Sequence, residues 1–162
     1  METKYYIDMD GVAAVWNERA SIEDTFKRGY FLAREPDEKI LALVRLLKNS
    51  GRSVSFLSSV YTVGTAKAEK SEWLVRNGMG TVPCTFVPYG DDKSLYIKAN
   101  ERNVLLDDFS ENLRRWEAAG HIGFKYYNGI NGTHGTWGGY ALTRNMSAAA
   151  MFKTLTSIAE SN

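Results

Sequence analysis

An α/β fold, a parallel sheet covered by helices, is predicted by three features of this sequence. Short β-like runs alternate with helix-like ones, which is the pattern of strand-helix-strand units. The helix-like runs carry apolar faces and stop at glycines, as helices of a layered fold do. No internal repeat and no linker divides the 162 residues, so residues 1–162 read as one domain, long enough for a real core.

Taken in order, Tyr5-Tyr6-Ile7-Asp8 reads as the first strand. Asp37 to Lys48 reads as an amphipathic helix with Ile40, Leu41, Leu43, Val44 and Leu47 on one broad face, and Gly51 lies just past its end. Val54-Ser55-Phe56-Leu57 is the next strand, and Thr65 to Asn77 is a helix closed by Gly78. Thr85-Phe86-Val87 and Asn103-Val104-Leu105-Leu106 are further strands. Ser110 suits the N-cap of a helix through Trp116 and Ala119, ended by Gly120. Ile122 to Tyr126 reads as a strand, and Ser147 as the cap of a last helix reaching Ile158. Two stretches break the alternation. Val15 to Pro36 is rich in aromatic and charged residues, and Asn128 to Gly139 is a loop dense in Gly, Asn and Thr that contains His134 and Trp137.

Composition narrows the class. Hydrophobic residues make up 44% of the chain, and 20 basic residues nearly cancel 19 acidic ones. Such a balance gives no electrostatic footprint for broad nucleic-acid or membrane binding. With one cysteine, Cys84, no internal disulfide can form, which fits a reducing compartment. Cys84 reads as a small buried strand residue rather than a nucleophilic thiol. No apolar run approaches a membrane span and the N-terminus lacks a signal core, so a cytoplasmic protein is expected.

Four aspartates stand where chemistry would want them. Asp8 and Asp10 follow the first strand in Asp-Met-Asp-Gly-Val. Residues two apart on an extended segment point the same way, so both carboxylates can face one pocket. Gly11 lets the backbone turn sharply beside them. Asp107 and Asp108 follow another strand, and ligands of open parallel sheets bind outside the carboxyl ends of the strands. Either pair alone could be a turn or a helix cap. Two pairs at strand ends point to a metal site, because clustered carboxylates repel and a hard cation with oxygen ligands, Mg2+, resolves the repulsion.

These residues carry a resemblance. Ile7-Asp8-Met9-Asp10-Gly11-Val12, then Val54-Ser55-Phe56-Leu57-Ser58-Ser59, then Lys93 in Asp92-Lys93-Ser94, then Leu105-Leu106-Asp107-Asp108 resemble the four motifs of the haloacid dehalogenase-like (HAD) superfamily, in order. Glu69-Lys70-Ser71-Glu72-Trp73 and the continuation through Asn112, Trp116 and Ala119-Gly120 resemble its deoxyribonucleotidase branch, the 5'-nucleotidases of the deoxy-pyrimidine type. The resemblance spans about residues 5 to 120. It implies a Rossmann-like parallel sheet with helices on both faces and a small cap insertion, residues 15–36, after the first strand. It implies a Mg2+-dependent phosphatase acting through an aspartyl-phosphate. Asp8 would be the nucleophile and Asp10 the acid and base. Mg2+ would be held by Asp8, the backbone carbonyl of Asp10 and the Asp107–Asp108 pair, with Asp108 assigned the direct contact. Ser58, Ser59 and Lys70 would bind the phosphate, and Lys93 would balance charge around Asp8. The expected partner is a small phosphorylated substrate, a (deoxy)nucleoside monophosphate.

The chain departs from that pattern in three places. The second motif ends Ser58-Ser59-Val60, without the usual proline. The spacing from Lys93 to Asp107 is long. The segment between the first two motifs has room for one or two short helices, where deoxyribonucleotidases carry a helical cap with base-binding aromatics. Trp16, Phe26, Tyr30 and Phe31 would either stack on a base or pack a small cap against the sheet, and Arg28 or Arg34 would contact phosphate or sugar. A small cap also admits another phosphoester or a nucleic-acid terminus as substrate. The third alternative is a binding protein of this fold without turnover.

Overall fold

The computed structural model describes residues 2–98, 102–131 and 137–161. Six strands form one sheet: β1 (Thr3–Ile7), β2 (Ser53–Val60), β3 (Cys84–Pro88), β4 (Arg102–Asp107), β5 (Ile122–Tyr127) and β6 (Tyr140–Thr143). Their order is β3-β2-β1-β4-β5-β6, and every neighbouring pair is parallel. The chain steps outward from β1 to β3, returns to the other side of β1, and steps outward again to β6. That reversal, between β1 and β4, is a switch point where an α/β sheet opens a crevice at its carboxyl edge.

Parallel strands need crossovers. Helix α2 (Glu38–Asn49) joins β1 to β2, α3 (Ala66–Arg76) joins β2 to β3, and α4 (Ser110–Ala118) joins β4 to β5. Helix α5 (Ala148–Ala159) follows β6. Side chains alternate along a strand, so Tyr5 and Ile7 of β1 and Val104 and Leu106 of β4 face one side. There they pack with Ile40 and Leu43 of α2, Trp73 of α3 and Met151 of α5. Tyr6, Leu57 and Leu105 face the other side, against Leu113 and Trp116 of α4. Helices therefore cover both faces, and the strands read as nearly continuous apolar runs because both faces are buried.

Local chemistry sets the helix ends. Asp37 caps α2, its carboxylate accepting from the N–H groups of Lys39 and Ile40, and Ser147 caps α5 through Ala150 N–H. Ser110 is not the cap of α4: it is the first helical residue, Phe109 takes the cap position, and no side chain caps that end. The Ser110 hydroxyl instead accepts a hydrogen bond from Lys125 Nζ at 2.5 Å. Strand β6, four residues on the sheet edge, carries no pattern long enough to signal it. Cys84 opens β3 half-buried, and burial pushes its thiol up to about 12.

Residues 15–36 hold a single short helix, α1 (Ile22–Thr25), closed by a reciprocal Ser21–Asp24 capping box. The segment leaves and returns at one point, because Val15 N–H donates to Glu35 O and Asp37 N–H donates to Ala13 O, both at 2.8 Å. Among the described residues no helix is long and apolar enough to cross a membrane.

Candidate active site

Ile7 of β1 pairs with Leu106 of β4, so the next residues, Asp8 and Asp107, leave the sheet side by side at its carboxyl edge. Asp8 N–H still donates to Leu106 O at 3.0 Å, which holds the nascent turn to the neighbouring strand. Gly11 completes that turn at φ +81°, and a Cβ there would stand 2.1 Å from Asp108 Oδ2. Glycine is needed at this position twice, for the left-handed backbone and for the approach of the second acidic pair.

One ammonium joins the two strand ends. Lys93 Nζ donates to Asp8 Oδ1 and to Asp107 Oδ2, each at 2.7 Å, and Lys93 and Asp107 are buried. Asp107 is fully engaged, since it also accepts from Asn112 Nδ2 (2.9 Å) and from Phe109 N–H (2.8 Å). Asp108 accepts from Asn131 Nδ2 at 2.6 Å. Asn131 is held in turn by Asn128, whose Nδ2 donates to Asn131 Oδ1 and to Gly11 O. This bracket of Asn128 and Asn131, on the loop after β5, links the turn of the first acidic pair to the second pair.

Negative charge exceeds positive charge here. Carboxylate oxygens of Asp8, Asp107 and Asp108 lie within 4.8 Å of one another. Burial, with added repulsion from Asp107 and Asp10, pushes Asp8 up to about 7 although Lys93 pulls the other way. Burial, then repulsion from Asp107 and Asp8, holds Asp108 well above the usual carboxylate range. Burial opposes the charge of Lys93, but Asp107 and Asp8 outweigh it and keep the ammonium above its ordinary value. Three buried carboxylates around one ammonium, with only oxygen donors, fit a hard divalent cation. The Asp10 carboxylate stands apart from this trio.

Asp10 belongs to a second ionic centre. Lys70 Nζ donates to Asp10 Oδ2 (2.5 Å), Ser58 Oγ (3.0 Å) and Ser59 O (2.8 Å). Lys70 is buried, with its three N–H donors engaged, and is not the solvated surface lysine that its helix position allows. Ser58 is fully buried against it. Ser59, by contrast, reaches the cavity, a space of about 540 Å³ that Asp8, Asp10, Lys70 and Lys93 also line.

The segment 15–36 forms one wall of that cavity through Trp16, Tyr30 and Phe31. Glu69 anchors it, its carboxylate accepting from the N–H groups of Gly29 (2.7 Å) and Phe31 (3.1 Å). Trp73 Nε1 anchors its exit by donating to Arg34 O at 2.7 Å. Phe31 is buried and Lys70 Nζ lies 4.6 Å from its ring centroid. The Arg34 guanidinium covers Tyr30 at 4.7 Å, and Trp16 is 39% exposed. Of the three aromatics, Trp16 presents the freest surface. Phe26 does not line the cavity and packs against Tyr61. His134 lies outside the described residues. Trp137 donates to Tyr140 O and packs beside the Trp116 cluster, and it does not line the cavity. Tyr61 and Tyr89 do line it, although nothing in their local sequence marks them.

No protein-family model matches the chain, and no curated protein matches it at a significant level.

Proposed function

We propose that this chain is a Mg2+-dependent phosphomonoesterase of the HAD type, with residues 15–36 as a reduced cap, acting on nucleoside monophosphates. The observation that carries the reading is the meeting of two acidic pairs at neighbouring strand ends, bridged by Lys93 and short of positive charge. A folding chain has no structural need for buried carboxylates left this way.

In the proposed reaction an Asp8 carboxylate oxygen attacks phosphorus, the ester P–O bond breaks, and Asp10 gives its proton to the leaving oxygen. Water then attacks the aspartyl-phosphate, losing its proton to Asp10, and the P–O bond to Asp8 breaks to release phosphate. A carboxylate nucleophile divides one difficult displacement into two easier ones, and one group serves as acid and then base. Bound by Asp8 and Asp108, with Asp107 behind them and the Asp10 carbonyl completing the set, Mg2+ would neutralise charge on the transferring phosphoryl group. Lys93 orients Asp8 and Asp107 through bonds of 2.7 Å each. Lys70 holds Asp10 and Ser58 in fixed positions, the positioning on which phosphoryl transfer depends.

The test is phosphate release from nucleoside monophosphates, a sugar phosphate and an aryl phosphate, with Mg2+ and with chelator. Release that needs Mg2+ and disappears in Asp8→Asn supports the reading. Release confined to the sugar phosphate moves the substrate to another small phosphoester. No release from any compound, with ligand binding equal in wild type and Asp8→Asn, favours a binding protein without turnover.

A further inference from the structure

We propose that Tyr61 and Tyr89, with Phe26 beside them, form a stacking platform that selects phosphomonoesters whose leaving group carries a planar aromatic ring. This deepens the phosphomonoesterase reading and rests on it. Val60 of β2 pairs with Pro88 of β3, and Tyr89 N–H donates to Val60 O at 2.8 Å. The residues that follow, Tyr61 and Tyr89, therefore emerge side by side. Their rings stack with centroids 4.6 Å apart and planes at 29°. Phe26, just after α1, meets Tyr61 at 4.7 Å. Three segments distant in sequence thus converge on one row of rings.

The two tyrosines of the row face the chemistry. Tyr61 and Tyr89 line the cavity that Asp8 and Asp10 line. They leave the same edge of the sheet, on the strands first and second from β1. Ile7 is level with Phe56 and Val60 with Pro88, so Tyr61 and Tyr89 leave their strands four residues further along than Asp8 leaves β1. At about 3.3 Å per residue the row stands roughly 13 Å beyond the level of the attacking carboxylate, room for a sugar between phosphate and ring. It is also not core: Tyr89 is 64% exposed and Phe26 45%. Exposed ring surface forgoes the free energy of burial, and a ligand ring laid on a cavity wall recovers it. The faces of Phe31 and Tyr30 are already met by Lys70 and Arg34, so the two cavity-lining rings of the platform come from the sheet edge, and the 15–36 segment adds Phe26 behind them. Stacking is tolerant of base identity, so the platform selects for a ring and not for one base.

The test is equilibrium binding by calorimetry to Asp8→Asn in Mg2+, where bound ligand is not turned over. The probes are adenosine 5'-monophosphate and ribose 5-phosphate, which differ in the ring alone. The nucleotide is expected to bind more tightly, and Tyr61→Leu or Tyr89→Leu added to Asp8→Asn should cut that preference roughly tenfold while leaving ribose 5-phosphate binding unchanged. An unchanged affinity ratio in the tyrosine variants overturns the proposal, as does equal or absent binding of the two probes to the parent. Tyr89, the more exposed ring, carries the test if Tyr61→Leu fails to fold. Failure of the phosphomonoesterase reading is seen separately, as absence of Mg2+-dependent phosphate release by wild type.

Discussion

At the amino edge of the sheet, Glu160 accepts from Arg52 Nε (2.6 Å), Arg52 Nη2 (2.8 Å) and Tyr5 OH (2.5 Å). At the carboxyl edge, Asp8 and Asp107 share the Lys93 ammonium, and Asp108 stands with them. The same chemical group meets opposite fates. Bonds from Arg52 outweigh burial and hold Glu160 below its ordinary range, whereas burial drives Asp8 up to about 7. The first carboxylate ties α5 to the starts of β1 and β2 and needs nothing more. The second group of carboxylates lacks positive charge, and that deficit is what a divalent cation would fill. In the proposed reading, the site for chemistry is marked by charge left unbalanced and not by the number of acidic residues.

Substitutions at the two edges should have unequal effects, the largest at Asp8. Asp8→Asn should lower turnover by at least about a thousandfold, as loss of a nucleophile does. It should also raise the metal-free thermal midpoint near pH 8, by about 2–4 °C for each kcal/mol of repulsion relieved. Loss of turnover with a lower midpoint would contradict the charge deficit. Next is Lys93→Met, which strips Asp8 and Asp107 of their shared partner. Breaking a buried pair costs about 3–5 kcal/mol, so the urea midpoint in chelator should fall sharply, and Mg2+ should restore part of it by binding the folded state.

The pH dependence sharpens the contrast, because the two edges have opposite signs. Asp8 is raised from 3.8 to about 7, so between those values the folded state holds more protons than the unfolded one. Its contribution to stability falls as pH rises through that window. Glu160 is lowered, so its contribution is present above the ordinary glutamate range and is lost as pH falls through the folded value. In chelator, the stability of Asp8→Asn relative to wild type should therefore grow as pH rises from 4 to 7. A constant difference would contradict the burial of an ionised Asp8. The smallest effect is expected for Arg52→Met. This pair is partly exposed, with side chains 28% and 36% accessible, so about 1 kcal/mol or less should be lost, with turnover unchanged.

Much of this molecule was legible before the fold was known. β1, β2 and β4 read as apolar runs because a parallel sheet buries both faces, and glycines follow α2, α3 and α4 as expected. Asp8, Asp10, Asp107 and Asp108 stood at strand ends, and the register of β1 with β4 brings Asp8 beside Asp107. What stayed hidden depended on contacts between distant segments. Asn128 and Asn131 sit in a loop whose composition marks only a turn, yet they bracket Gly11 and Asp108. Lys70 could equally have been solvated on its helix, because burial beside Asp10 is decided by where α3 docks. Tyr61 and Tyr89 meet through the β2–β3 register, which neither residue encodes alone. Ser110 fits a cap by type, but Phe109 takes that position while Ser110 turns to Lys125.

The most direct test of the central claim is to look for a phosphoryl group on Asp8. Asp10→Asn, in which water activation is slowed by about a hundredfold or more, would be mixed with substrate and Mg2+, quenched in acid and mapped by peptide mass spectrometry. A phosphorylated peptide containing Asp8 is expected, absent in chelator and absent when Asp8→Asn is added. Mg2+-dependent phosphate release by wild type without any such adduct, or an adduct on another residue, would contradict the claim.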